Sequence, residues 1–258
     1  MRNCPLCAYD TSVTYMKPQA WNNRHGIELK KCKECAFVFS AASLCSYETV
    51  ENTYEKYTKI DLLRLARQQR LPDLIHEIAQ KARLTKGDVL DFGAGVGLAA
   101  VCLQEKGFTP YAVEASQAFL KFHKKLKITS AESLSALPVE KNRFDLILLK
   151  DVLEHVDHPV DLLQEILAYV KPSGYFYIRV PNVYHYQFHW SIDTKSHINH
   201  FSPQKLMDLM QAHGMKKVDF VGVYDISTRA GKLYNAVCWP MRQVVPLYHQ
   251  ISLLYQKA

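Results

Sequence analysis

The stretch that decides the fold lies at residues 89–97 and reads VLDFGAGVG. Its first four residues are apolar apart from Asp91, which is typical of a short strand buried on both faces. Three glycines follow at every second position, and glycine is needed where a backbone turns sharply or lies against a ligand. Residues 98–103 are apolar and favour a helix. The stretch therefore predicts a strand, a glycine-rich turn and a helix whose first N–H groups are available to an anion.

On either side of this turn, short apolar runs alternate with amphipathic segments. Further strands are predicted near residues 111–113, 146–149 and 175–180, with helical segments between them. Strands that alternate with helices in this way are typical of a parallel sheet. We therefore expect an α/β fold with a Rossmann-like doubly wound, mostly parallel sheet.

We expect the chain to have four parts. They are a cysteine-bearing module at 1–45, a helical connector at 46–84, the core at 85–225 and a C-terminal extension at 226–258. Pro72 interrupts the apolar periodicity of the connector, which predicts two helices joined near Leu71. A helix is also predicted from Ser202 to the stop at Gly214, followed by a strand near 218–223. In the extension, the leucine and tyrosine spacing of 247–255 favours a helix.

Composition places the chain among globular proteins. Of its 258 residues, 48% are hydrophobic and 22% are charged, which excludes intrinsic disorder. No apolar run approaches the roughly 20 residues of a bilayer-spanning helix, and the first residues lack the apolar centre of a signal peptide. We therefore expect a soluble, cytoplasmic protein. The net charge of +7 suits an anionic partner such as nucleic acid, although a solvated basic face is the simpler interpretation.

Four of the seven cysteines form two closely spaced pairs near the N-terminus. In each pair, Cys4 with Cys7 and Cys32 with Cys35, the short spacer allows a tight turn that aims two thiolates at one ion. Two such turns complete the tetrahedral sulfur shell that zinc accepts, and the segment is too small to fold on an apolar core alone. We predict a small zinc-ribbon-like module whose closed metal site is structural rather than catalytic.

An acidic residue at the end of the second predicted strand favours a nucleoside ligand. Glu114 directly follows the strand at 111–113, which places its carboxylate where it could accept both hydroxyls of a ribose. Dinucleotide-binding proteins use a related strand, turn and helix. A dehydrogenase is therefore the alternative at this point.

The chain resembles the class I S-adenosylmethionine-dependent methyltransferases over residues 85–223. The resemblance rests on the glycine-rich turn, Glu114, the FDLI run at 144–147 and the VLEHV run at 152–156. It implies S-adenosylmethionine as the cofactor and makes a dehydrogenase the weaker alternative. The cofactor-binding residues that it implies are Gly93, Gly95 and Gly97 at the methionyl part, Asp91 at the amino group, Glu114 at the ribose and Glu132 at the adenine.

The order of a four-cysteine module and this core is similar to that of zinc-bearing deoxysugar C-methyltransferases. In those enzymes a histidine four residues before a Phe-Ser pair serves as the base, and His197 stands at that position before Phe201. They carry Tyr-His-Glu-His where this chain reads Thr-Lys-Ser-His. The resemblance therefore implies His197 as the first candidate for the base.

Histidine suits this task because its ordinary pKa lies near neutral pH and a hydroxyl acceptor must lose a proton. After His197, the candidates are His200 and His155, since open parallel sheets bind ligands at the ends of their strands. The segment 183–200 is rich in histidines and aromatics and is predicted to form a lid over the acceptor. Its other such residues are Tyr184, His185, Tyr186, Phe188, His189 and Trp190.

Three functions are compatible with these features. The first is methyl transfer to a small hydroxylated acceptor, such as a sugar or related metabolite. The second is RNA methylation, because some rRNA guanine methyltransferases resemble this order of zinc module and core and the net charge is positive. Residues 1–45 contain no arginine-rich tract, which disfavours it. The third is a non-catalytic binding protein on the same scaffold, which the intact glycine turn and Glu114 disfavour.

Overall fold

The computed structural model describes residues 3–17, 26–41, 58–183, 196–220 and 250–258. In these ranges the strands are β1 (Ser12–Met16), β2 (Leu29–Cys32), β3 (Val38–Ser40), β4 (Asp88–Phe92), β5 (Thr109–Val113), β6 (Thr129–Ala131), β7 (Phe144–Lys150), β8 (Val170–Pro181), β9 (Asn199–His200), β10 (Met215–Phe220) and β11 (Gln250–Lys257). The helices are α1 (Lys59–Gln68), α2 (Leu71–Lys81), α3 (Leu98–Glu105), α4 (Gln117–Lys125), α5 (Pro159–Leu167) and α6 (Pro203–Ala212), and a 3-10 turn covers Leu153–His155. Within the described ranges, no helix is long and apolar enough to cross a membrane.

A seven-stranded sheet in the order β10-β11-β8-β7-β4-β5-β6 forms the centre of the fold. β4 pairs in parallel with both β5 and β7, and β7 pairs in parallel with β8. β4 is an interior strand that presents apolar side chains to both faces of the sheet, because the neighbouring residues Val89 and Leu90 are both fully buried. The arrangement confirms the predicted α/β, Rossmann-like and mostly parallel sheet.

Two helices precede the sheet, as the interruption at Pro72 predicts. The Thr58 hydroxyl accepts a hydrogen bond from the Asp61 N–H, and the Asp61 carboxylate accepts one from the Thr58 N–H, so α1 begins with a capping box. Arg70 adopts a left-handed conformation between the helices, and Pro72 lies in the first turn of α2, where its missing N–H breaks no helical bond. The apolar faces of α1 and α2 pack on α3 and bury Cys102.

Gln250–Lys257 is a strand, so the helical interpretation of residues 247–255 is wrong for the residues that the structure describes. β11 runs antiparallel between β8 and β10 and thus belongs to the central sheet. Residues 253–255 are all buried because this strand is covered on both faces. Such a run lacks the two-residue alternation of a half-exposed strand and cannot be distinguished from a buried helix by periodicity. The strand expected near 218–223 starts earlier, at Met215, and residues 221–249 lie outside the described part.

The cysteine-bearing module shares a second sheet with the segment that follows β8. This sheet has the order β1-β2-β3-β9, and Val38 of β3 lies opposite His200 of β9. The Phe37 and Phe201 rings pack beside this pairing with their centroids 5.0 Å apart. The module is therefore attached to the core through the same segment that carries two of the candidate histidines.

Candidate functional site

The glycine-rich turn leaves β4 at the carboxyl edge of the sheet. Gly93 and Gly95 have φ angles of +73° and +53°, which glycine adopts without strain. A Cβ atom on Gly93 would lie 2.4 Å from Val152 Cγ2, so packing also requires glycine there. Around Gly95, no described atom beyond its chain neighbours lies within 4 Å of the corresponding position. The turn thus presents an open backbone face to a ligand.

Glu114 holds this turn from the end of β5. One carboxylate oxygen accepts a hydrogen bond from the Gly95 N–H at 2.7 Å, and the other accepts one from the Ser116 N–H at 2.9 Å. A carboxylate has about four acceptor positions, so these two bonds leave capacity for further donors such as hydroxyl groups. The structure therefore places Glu114 beside the turn, with its carboxylate bonded to the turn backbone.

The two other predicted carboxylates lie in different surroundings. Asp91 is 2% exposed in β4, and burial raises the pKa of its carboxyl to about 6. Glu132 is exposed directly after β6 and accepts a hydrogen bond from the Gln117 side chain at 2.9 Å. Asp91 therefore lies within the core, whereas Glu132 lies at the surface beside the start of α4.

Glu154, His155 and His197 come together after β7. The possible ligand or proton-binding atoms of the three side chains lie within 4.8 Å of one another. The imidazole rings meet edge to face with their centroids 4.9 Å apart. His155 Nδ1 lies 2.8 Å from the Ser196 carbonyl, to which it must donate, and His155 Nε2 lies 3.8 Å from a Glu154 carboxyl oxygen. The structure therefore brings two of the three candidate bases together with a carboxyl group.

Hydrogen bonds fix the histidine segment onto the 3-10 turn. The Ile198 N–H donates to the Glu154 carbonyl at 2.8 Å. The Asn199 side-chain amide donates to the carbonyls of Leu153 at 3.0 Å and Val156 at 2.6 Å. These bonds set the distance between the two rings. Sequence reasoning missed Asn199, because an asparagine in a polar segment gives no sign of the carbonyls that it will meet.

The Glu154 carboxyl is deeply buried and electrostatically perturbed. Its residue is 1% exposed, and neither carboxyl oxygen has a hydrogen-bond partner in the described part of the chain. Burial raises the pKa of Glu154 to about 8, and the negative charge of Asp151 adds to this effect. The carboxyl is therefore largely protonated at neutral pH, which gives it an O–H group that can donate to a ligand. Strongly perturbed carboxyls of this kind are enriched at functional sites.

Asp151 and Arg179 form an ion pair next to Glu154. The guanidinium donates to both carboxylate oxygens of Asp151, and the Asp151 N–H donates to the Arg179 carbonyl at 2.9 Å. Although burial acts to raise it, the pKa of Asp151 is held below its ordinary value by this guanidinium. Asp151 also has a φ of +56°, which is uncommon outside glycine. One carboxyl is therefore charged and its neighbour Glu154 neutral, and the sequence contains no pattern that predicts this pairing.

His200 lies apart from this group. It is 2% exposed in β9, and its backbone pairs with β3 of the N-terminal module. Among the described residues, the cluster within 4.8 Å consists of Glu154, His155 and His197 and does not include His200. The predicted lid is described only at its two ends. Its residues Tyr184, His185, Tyr186, Phe188, His189 and Trp190 lie outside the described ranges.

The four N-terminal cysteines meet as their spacing predicts. The Sγ atoms of Cys4 and Cys35 are 3.5 Å apart, and those of Cys7 and Cys32 are 3.6 Å apart. Four sulfurs bound to one zinc ion at about 2.3 Å lie about 3.8 Å from one another, so these side chains fit a tetrahedral ion. Burial raises the pKa of the Cys4 thiol to about 11, and a bound cation would reverse this by stabilising the thiolate.

Comparisons with known proteins agree with one another. A family model described as a methyltransferase domain matches residues 63–219. A ubiquinone biosynthesis O-methyltransferase of Coxiella burnetii is 23% identical over 172 residues, covering 59% of this chain and 74% of the relative. The enzyme of the same name from Rickettsia canadensis is 23% identical over 206 residues, covering 72% of this chain and 87% of the relative.

The solved structures show the same fold. An S-adenosylmethionine-dependent methyltransferase from Archaeoglobus fulgidus superposes with a TM-score of 0.54 at 19% sequence identity. The match covers 76% of this chain and 96% of that one. A second such enzyme, from Mesorhizobium loti, superposes with a TM-score of 0.50 at 13% identity, covering 66% of this chain and 91% of that one.

Proposed function

We propose that this chain, which belongs to the methyltransferase-domain family, transfers a methyl group from S-adenosylmethionine to a hydroxyl of a small acceptor. The match over residues 63–219 establishes the family and the class of enzyme. The proposal adds the acceptor class, the residues that hold the cofactor and those that handle the acceptor proton. The observation that carries it is the cluster of Glu154, His155 and His197.

The proposed cofactor site is the open face of the glycine-rich turn. The open space at Gly95 and the remaining acceptor capacity of Glu114 fit a ligand with a ribose. When bound, S-adenosylmethionine supplies an electrophilic methyl group on a sulfonium. In this proposal the three turn glycines bring the backbone close to the methionyl part and Glu114 binds the ribose. Asp91 supports the turn at the amino group, and Glu132 lies on the adenine side.

Val152 connects the turn to the histidine cluster. Val152 packs against the turn, since a Cβ on Gly93 would lie only 2.4 Å from its Cγ2 atom. The 3-10 turn with Glu154 and His155 begins one residue later. Both features therefore lie at the carboxyl ends of β4 and β7, where open parallel sheets bind ligands. An acceptor held by the cluster would thus be next to the cofactor, as an in-line displacement requires.

His197 is the residue that we assign to the acceptor proton. It is partly exposed, whereas Glu154 is buried, so His197 is the better placed of the two to meet an acceptor. His155 packs against the His197 ring and is itself fixed by the Ser196 carbonyl, so we assign it a positioning role. His200 holds the same segment on β3 and is the next candidate if His197 is not the base.

The names of the relatives support a hydroxyl acceptor. Both are O-methyltransferases of ubiquinone biosynthesis. A sugar or related metabolite is the acceptor that we favour, and a hydroxylated aromatic compound is the neighbouring class that the relatives' names suggest. In either case the N-terminal module shapes the acceptor side, because β3 pairs with the strand beyond His197.

We further propose that the module holds one structural zinc through Cys4, Cys7, Cys32 and Cys35. The short sulfur separations support this ligand set. With four protein ligands the ion would have no open position for water, so its contribution would be to the stability of the module.

An acceptor screen with labelled methyl groups tests the proposed function. The protein and S-adenosylmethionine are offered sugar nucleotides, phenolic compounds and total RNA in separate reactions. We expect label in a small-molecule pool as a methyl ether, and no label above background with Gly95→Val. RNA is the second candidate because of the net charge of +7, and label in RNA alone would contradict the small acceptor. Cofactor binding without label in any pool would favour a non-catalytic protein.

A further inference from the structure

A buried histidine outside the acceptor cluster contacts the glycine-rich turn. His123 lies on α4 with none of its surface exposed, and its Nε2 is 2.7 Å from the Gly95 carbonyl oxygen. Because a carbonyl only accepts, Nε2 must carry the proton and donate it. Burial lowers the pKa of the His123 imidazole, which favours the neutral form with the proton on Nε2.

Gly95 is therefore held at both of its backbone polar groups. Its N–H donates to Glu114 and its carbonyl accepts from His123, and both bonds are 2.7 Å long. The His123 ring also lies close to the next glycine of the turn, because a Cβ on Gly97 would be 3.3 Å from its Cδ2 atom. The two side chains thus fix the left-handed conformation of Gly95 while leaving its outer face open.

Fold stability alone gives a poor reason for a histidine at this position. Its Nδ1 atom is buried and has no hydrogen-bond partner among the described residues, which costs free energy. The apolar side chain of Ile128 lies beside the ring, because its Cδ1 and His123 Cδ2 would be 3.1 and 3.3 Å from the same Cβ position on Gly97, so an apolar ring would pack here without that cost. What the imidazole adds is the single hydrogen bond to the Gly95 carbonyl.

We propose that His123 is a positioning residue for the cofactor. Its side chain holds the Gly95 peptide in the conformation that binds the cofactor, and it thereby aligns Glu114 for the ribose. This inference rests on the proposed cofactor site. Glu114 and His123 do not touch the same atom, but they hold opposite ends of one residue. Loss of either bond would let the Gly95 backbone rotate, and cofactor binding would then have to restore its conformation.

Calorimetric titration of S-adenosylmethionine into purified variants tests this role. We expect His123→Phe, which keeps a ring but has no donor, to raise the Kd at least about tenfold, a typical effect of losing one well-placed hydrogen bond. His123→Gln retains an N–H donor and should recover part of that loss. His213→Phe is the matched control. His213 Nδ1 also lies 2.8 Å from a backbone carbonyl, that of Leu209, but this bond is at the end of α6 and outside the glycine-rich turn. It should leave the Kd unchanged.

A double-mutant cycle with Glu114→Gln distinguishes positioning from general support of the fold. If both side chains act through Gly95, their effects on the Kd are less than multiplicative when combined. A purely structural role predicts a lower Tm for His123→Phe with an unchanged Kd, and that result would overturn the inference. If His123→Phe does not fold, the same comparison is made with His123→Leu, which also has no donor, and wild-type affinity in that variant with a lowered Tm would again overturn the inference. Failure of the wild type to bind would reject the proposed cofactor site itself.

Discussion

Gly95 and Glu114 test the cofactor site one side chain at a time. Gly95→Val should abolish S-adenosylmethionine binding, because its side chain would occupy the open face and the φ of +53° disfavours a branched residue. Gly107→Val is a matched control, since Gly107 has a φ of +83° with equally open surroundings outside the turn. It should lower stability without changing the Kd, as calorimetry can measure.

Glu114→Ala removes the carboxylate proposed to bind the ribose. We expect it to weaken binding of S-adenosylmethionine by about 1.5 to 3 kcal/mol, the usual range for hydrogen bonds to a charged group. Part of that loss comes from the Gly95 N–H, which would lose its acceptor. Wild-type affinity in Glu114→Ala, measured by the same titration, would remove this residue from the site.

Glu154 should make the stability of the fold depend on pH. The unfolded chain ionises this carboxyl above its ordinary pKa of 4.5, whereas the folded chain keeps the proton up to a pKa of about 8. Between these values the folded state binds more protons, so the free energy of unfolding falls as the pH rises. The Asp151 charge strengthens this effect, and Arg179 and Lys150 oppose it.

Glu154→Gln should remove this dependence, because an amide does not titrate. We compare the free energy of unfolding of the variant with that of wild type at each pH. This difference should be more favourable to the variant at pH 7 than at pH 5 by on the order of 1 to 3 kcal/mol. Denaturant unfolding at a series of pH values measures the change. Parallel curves for the two proteins between pH 5 and pH 8 would show that Glu154 is ionised in the folded state.

At the scale of elements, the pairing of β3 with β9 links the cysteine cluster to the histidine segment. Cys32→Ser with Cys35→Ser should reduce zinc from about one ion per chain to none. It should also increase hydrogen exchange at the Ser40 N–H, which donates to the Ile198 carbonyl at 2.9 Å. Cys102→Ser is the control, because Cys102 is buried on α3 away from the cluster. Unchanged zinc content in the double variant would reject the ligand set.

Elements with a local signature could be predicted from the sequence, and those defined by distant partners could not. The turn at residues 89–97 and the paired cysteines each carry their glycines or thiols at a short, fixed spacing. β11 carries no such mark, because it is buried on both faces and its apolar run fits helix and strand alike. β9 is only two residues long and exists through its pairing with β3.

The same distinction applies to the candidate site. His155 and His197 could be named because their residue type and position suggest a base, and the structure places them together. The neutral state of Glu154 and the contact between His123 and Gly95 depend on burial and on partners far along the chain. No spacing within the sequence specifies either one.

For the whole molecule, the central sheet brings the open turn after β4 and the histidine cluster after β7 to one edge. Residues 196–201 lie beside the 3-10 turn after β7, and within them β9 pairs with β3 of the N-terminal module before α6 begins. The proposed acceptor side and the cysteine-bearing module therefore meet at residues 196–201. The proposed methyl transfer depends on both of these and the open turn being assembled.

The most direct test of this arrangement is the turnover of His197→Asn with the acceptor found in the screen, measured together with its affinity for S-adenosylmethionine. If His197 takes the acceptor proton beside a separate cofactor site, turnover should fall by about a hundredfold or more while the Kd for the cofactor stays unchanged. His213→Asn alters a histidine between α6 and the edge strand β10, outside the cluster, and should retain wild-type turnover. Near-normal turnover in His197→Asn would contradict the assignment.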